Sequence, residues 1–232
     1  MESQQKKLDW HLNQVVPLSL DRLALGGFLI VLCLILLGGG VNFFSVAMVA
    51  ASLVGCWLAG RQPIAALGLA KSSLFLCVLV PLAAYFVALP LVGLGAVVSE
   101  WACRFLGIPW EPQLLLKDFI ELKNRDEIVR FFLLAVILAP LSEEILFRGF
   151  LYAWFKSFWP RWLALFITAI LFSAMHQHLP VFLPLMFLGI FLGLLYELTG
   201  SLWTNIGLHA LFNAVTLTVA MNYPDLVAVI GR

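Results

Sequence analysis

Glu143, Glu144 and Arg148 stand together in the run Leu-Ser-Glu-Glu-Ile-Leu-Phe-Arg-Gly-Phe, inside an otherwise apolar stretch of a 232-residue chain. A charge at the centre of a membrane helix costs about 2.5 to 3.5 kcal/mol on insertion scales, so three unpaired ones would total roughly 8 to 10 kcal/mol, comparable to the stability of a whole domain. Residues kept against such a penalty mark a functional site. On a helix Glu144 and Arg148 are four residues apart and can pair, whereas Glu143 is turned about 100° from its neighbour. The expectation is that Glu144 and Arg148 hold each other while Glu143 faces a cavity, its carboxylate available for proton transfer. A plain salt-bridge staple would need one acid rather than two.

Two later segments carry the partners such a carboxylate would use. Ala-Ile-Leu-Phe-Ser-Ala-Met-His puts Phe172 and His176 on one helix face, and Gly-Leu-His-Ala-Leu-Phe-Asn does the same for His209 and Asn213. An imidazole and an amide one turn apart are costly in lipid and must look into a bundle. His178, beside Pro180, fits an interfacial position better. At about 1.5 Å per residue, Glu143, His176 and Asn213 fall roughly 16 to 21 Å from the cytoplasmic ends of their helices, with His209 nearer 10 Å. These depths are compatible with one shared site.

A carboxylate base, two imidazoles and an amide suit water activation and oxyanion stabilisation during amide hydrolysis. In one version Glu143 deprotonates the water, His176 orients it, and His209 and Asn213 stabilise the oxyanion. In the other, His176 and His209, with or without a glutamate, hold a divalent metal such as zinc, which lowers the pKa of its water. The cofactor is therefore either none or a divalent metal, and the lack of HExxH spacing slightly favours none. Two rival classes stay open. A proton- or ion-coupled transporter would show broken helices in two matching halves, and no such halves are visible. A non-catalytic binding or scaffold protein would have no use for Glu143 as an acid.

The elements that must position these residues are membrane helices. With 62% hydrophobic and 12% charged residues and a mean hydropathy of +1.01, the chain cannot build the surface of an ordinary soluble domain. A net charge of +1 leaves no basic face for nucleic acid. The lipid bilayer is the expected surrounding. Charge-free stretches give two spans between Arg22 and Arg61, turning near Gly38, Gly39, Gly40 and Asn42, and a third from Ser72 to Ser99 with kinks at Pro81 and Pro90. Of 27 charged residues, 11 lie between Glu100 and Arg130, a water-exposed segment that forms either an amphipathic helix through Leu114, Leu115, Phe119 and Leu122 or a solvated loop. Four spans follow, about 131–155, 162–178, 181–196 and 202–221. The fold class is all-α, a polytopic transmembrane bundle of seven spans, or eight. Residues 1–130 form the N-terminal part and 131–232 the catalytic core.

Lys6, Lys7, Arg22, Arg61, Lys71, Lys156 and Arg161 place the N-terminus in the cytoplasm of a multi-pass cell (inner) membrane protein. No cleavable signal peptide is expected. Cys33, Cys56, Cys77 and Cys103 are too scattered for a disulfide framework. Trp101, Trp154, Trp159, Trp162 and Tyr223 suit interfacial anchors, and Gly189 and Gly193 suit close helix packing.

Glu143-Glu144-x-x-x-Arg148, Phe172-x-x-x-His176 and His209-x-x-x-Asn213 resemble, in order, the EExxxR, FxxxH and HxxxN motifs of the CPBP intramembrane protease family. That family includes type II CAAX prenyl endopeptidases and Abi-type bacteriocin self-immunity proteins. The resemblance covers about the last 90 residues and implies an intramembrane endopeptidase with the first glutamate as general base. Its implied partners are a membrane-bound peptide or protein, prenylated in eukaryotic members and more varied in bacterial ones.

Overall fold

The computed structural model describes residues 41–58, 63–70, 72–111 and 113–223. The first expected span lies outside these residues, as do Cys33, the Gly38 to Gly40 turn and the orienting residues Lys6, Lys7, Arg22, Arg61 and Lys71. Every element described is helical. In chain order they are α1 (Val41–Leu58), α2 (Pro63–Ala66), α3 (Phe75–Leu106), α4 (Leu114–Glu121), α5 (125–155), α6 (Arg161–Met175), α7 (Leu179–Thr199) and α8 (Leu202–Asn222). Asn42, expected in a turn, falls in the first turn of α1.

Among the described residues α3, α7 and α8 are long and apolar enough to cross a membrane. The chain is an integral membrane protein. Two of the other expected spans, α5 and α6, do not meet that measure, each for a physical reason. Helix α5 is about 46 Å long at 1.5 Å per residue, but Glu143, Glu144 and Arg148 interrupt its apolar run. Helix α6 has 15 residues, and His176, expected inside this span, is its C-cap. The third span runs on to Leu106, since the Arg104–Glu100 pair at 2.6 Å satisfies two charges on the helix surface. Helix α7 likewise extends beyond Tyr196 and takes in Glu197. Of the two readings of the charged connection, the helix is the one observed over Leu114–Glu121.

Local chemistry explains the boundaries. Asn124 caps α5 by accepting from the Asp126 N–H, and Asp126 and Glu127 sit where the helix dipole favours acids. Helix α7 stops at Gly200, whose φ of +60° closes the turn back to Tyr196. Within α5 the residues Leu134–Leu138 widen into a π turn just before Pro140. Pro140 has no N–H to give, so the carbonyl it would have capped in that register, Ala135, is left for another partner.

Packing is close because small residues line the crossings. Gly189 of α7 lies against Ala169 of α6, where an added Cβ would come 3.1 Å from the Ala169 Cα. Gly95 of α3 meets the Pro184 backbone of α7 in the same way, at 3.0 Å. One apolar core joins α1, α5 and α6 through Met48, Leu146, Phe150 and Phe172. A second joins α3, α7 and α8 through Ala88, Leu192, Leu208 and Phe212. The outward face of α3, with Phe86, Trp101 and Phe105 exposed, suits lipid. Cys56, Cys77 and Cys103 are free thiols.

Candidate active site

Glu144 is wholly buried and fully engaged. Its Oε1 accepts from Arg148 Nη1 at 2.7 Å and from His209 Nδ1 at 2.8 Å, and its Oε2 accepts from Asn205 Nδ2 at 3.4 Å. Arg148 completes its own coordination by donating to the Gly189 carbonyl on α7 at 3.3 Å. The guanidinium also lies 4.3 Å from the centre of the Phe172 ring, a cation–π contact. The ring edges of Phe172 meet His176 and His209 at centroid distances of 5.1 and 5.6 Å. One buried phenyl group therefore spaces the arginine and both imidazoles.

Glu143 is placed differently. Its side chain is 16% exposed, and its Oε2 has no hydrogen-bond partner among the described residues. It opens into a cavity of about 320 Å³ that His176, His209 and Asn213 also line. The rest of the wall includes Leu115 and Leu116 of α4, Phe131 and Leu134 of α5, and Leu217 of α8. The wall is therefore largely apolar with one polar corner, which suits a mixed ligand. Helix α4 is held over the cavity by buried Phe119, which packs on Phe131 at 4.9 Å, and by a Lys117–Glu111 pair at 2.6 Å. The Lys117 ammonium holds the Glu111 carboxyl below the usual carboxylate range, first by hydrogen bonding and then by charge.

Backbone contacts set the tautomers. His176 Nδ1 lies 2.9 Å from the Phe172 carbonyl, which can only accept, so Nδ1 carries a proton and Nε2 is the atom left for the cavity. The same logic at Glu144 protonates Nδ1 of His209 and turns its Nε2 toward Glu143 Oε2, 3.9 Å away. That separation is too long for a hydrogen bond and short enough for one reacting group to touch both. Asn213 Nδ2 donates at 2.8 Å to Ala135, the carbonyl released by Pro140, and keeps its second N–H and its Oδ1. The neighbouring Ser142 hydroxyl is spent on the Leu138 and Ala139 carbonyls and is no nucleophile.

A metal does not suit this donor set. Among the described residues no three His, Cys, Asp or Glu side chains converge as ion ligands, and the Arg148 guanidinium neutralises Glu144 beside His209. Glu143 shares the cavity with His176 and His209, but the three side chains do not converge as the three protein ligands of a catalytic zinc site would.

All six residues singled out from the sequence meet at the junction of α5, α6 and α8, with Glu143, His176, His209 and Asn213 on the cavity wall and Glu144 and Arg148 behind it. His178 is not on that wall. Asn205 was missed, although it stands one helical turn before His209 and shares its face. A second buried cluster also escaped notice. Glu197 of α7 accepts from the Tyr152 hydroxyl and from Lys156 Nζ, the latter at 2.6 Å. With Arg148–Gly189 it forms a polar seam between α5 and α7.

The arrangement has relatives. The family described as Type II CAAX prenyl endopeptidase Rce1-like matches residues 125–215, which run from the start of α5 to beyond Asn213. The chain belongs to this family. It is also 31% identical over 154 residues to an uncharacterized 24.3 kDa protein of Escherichia coli, covering 58% of this chain and 70% of that one. No solved structure matches it. The family match begins after the N-terminal helices and contains every motif residue.

Proposed function

We propose that this Rce1-like protein is an intramembrane endopeptidase that hydrolyses a peptide bond with a water activated by Glu143. The observation that carries the reading is the contrast between two adjacent acids. Glu144 is consumed by Arg148, His209 and Asn205, whereas Glu143 lines a cavity shared with two imidazoles and an amide and keeps its Oε2 without a hydrogen-bond partner among the described residues. Glu143 takes the proton of a water that attacks the scissile carbonyl. His176, whose Nδ1–H is fixed on Phe172, orients that water through Nε2. The remaining N–H of Asn213 and a protonated His209 Nε2 stabilise the oxyanion. Collapse of the tetrahedral intermediate returns the proton held by Glu143 to the leaving amine.

The substrate we infer is a membrane-associated peptide or protein, of the prenylated CAAX kind for which the family is named. The apolar wall of the cavity supports a hydrophobic stretch beside the scissile bond. The test uses full-length protein in liposomes and a farnesylated, internally quenched CAAX peptide. Cleavage by the wild type and at least about 100-fold slower cleavage by Glu143→Gln supports the reading; equal rates reject it.

A further inference from the structure

Asn205 is completely buried, lies one turn before His209 on α8, and has no part in the steps above. Its Nδ2 donates to the Leu192 carbonyl on α7 at 2.7 Å and to Glu144 Oε2 on α5 at 3.4 Å. Both partners only accept, so the amide can stand only one way round: flipped, it would set oxygen against a carbonyl and a carboxylate. Its Oδ1 is buried with no hydrogen-bond partner among the described residues. An orphaned acceptor costs stability that an apolar side chain would not. Packing alone therefore does not account for an amide here.

The need lies in Glu144. Arg148 and His209 crowd one of its oxygens, at 2.7 and 2.8 Å. The terminal torsion of a glutamate is soft, and a carboxylate free to turn would share its donors, one on each oxygen. The imidazole would then shift with it, and Nε2 would leave Glu143. A donor on Oε2, tied in turn to α7, opposes that rotation.

We propose that Asn205 is a positioning residue for the hydrolysis: it locks the Glu144 carboxylate so that His209 Nε2 stays aimed at Glu143. This rests on the protease reading given above. The test is steady-state kinetics of full-length Asn205→Leu and Asn205→Ala in liposomes, with the farnesylated CAAX peptide as probe and thermal melting as the control for folding. Leu refills the site and Ala empties it, while both remove the donor. The expected result is about tenfold lower kcat in both, the scale of one lost charge-assisted hydrogen bond, with KM within about twofold because Asn205 does not line the cavity. Wild-type kcat in a folded Leu or Ala variant overturns the proposal, as does failure of both to fold, which would make Asn205 a support of the bundle. If one fails to fold, the other decides. A wild type that leaves the probe uncut overturns the protease reading instead, whereas normal Asn205 variants beside an inactive Glu143→Gln overturn only the positioning role.

Discussion

Exchanging Glu144 for glutamine should destabilise the protein far more than the same exchange at Glu143, although the two side chains are neighbours and both exchanges should stop cleavage. Glu144 is 0% exposed and accepts three hydrogen bonds, two of them at 2.7 and 2.8 Å from Arg148 and His209. Removing its charge strands the Arg148 guanidinium, whose side chain is 3% exposed. Breaking a buried pair on one side costs about 3 to 5 kcal/mol. At Glu143 the exchange loses only a 3.9 Å contact with His209 on a partly exposed side chain, worth less than about 1 kcal/mol. For a chain of this size each kcal/mol moves the melting point by about 2 to 4 °C. Thermal melts in detergent, followed by helical circular dichroism, should therefore fall by about 6 to 20 °C for Glu144→Gln and by less than about 4 °C for Glu143→Gln. The double exchange Glu144→Gln with Arg148→Gln should recover part of the loss, since the two are coupled. Equal losses at Glu143 and Glu144 would refute the division of labour between them.

Three further outcomes follow from particular contacts. Gly189→Val would drive a side chain against α6 and the buried ion pair, since a Cβ at that glycine already stands 3.1 Å from the Ala169 Cα and 3.4 Å from Arg148 Nη2; unfolding titrations should show a loss of about 1 to 3 kcal/mol. Glu197→Leu removes the acceptor of Tyr152 and Lys156 and should cost about 3 kcal/mol, while kcat per folded molecule stays within about twofold; a lost kcat would place that cluster in the chemistry. His209→Ala should abolish cleavage of the farnesylated peptide and His178→Ala should spare it, because only the former lines the cavity. Equal losses would show that the wrong histidine has been assigned.

Much of the site was legible because membrane helices make spacing informative. Three charges in an apolar run had to find partners or a cavity, and the four-residue interval pairs Glu144 with Arg148, as the 2.7 Å contact shows. The helical nature of the chain followed from apolar composition alone. What stayed hidden depends on contacts between helices. Asn205 reads as one more polar residue until α5 and α7 are seen on either side of it. Phe172 is singled out by its place one turn before His176, but its contact with Arg148 shows only once the helices are packed. The grip of Asn213 on Ala135 required knowing that Pro140 follows a π turn, which uniform helical spacing does not reveal. Span ends were misplaced for a related reason. Glu197 looked like a terminus because its partners, Tyr152 and Lys156, come from another helix.

Comparative peptidomics of membranes from cells carrying the wild type or Glu143→Gln tests most directly whether an uncommitted carboxylate in this cavity cuts peptides. Hydrolysis driven by Glu143 requires a set of cleavage products, with apolar residues flanking the cut, that appears with the wild type and vanishes with the variant at equal protein level. Identical peptide sets from the two membranes would contradict it.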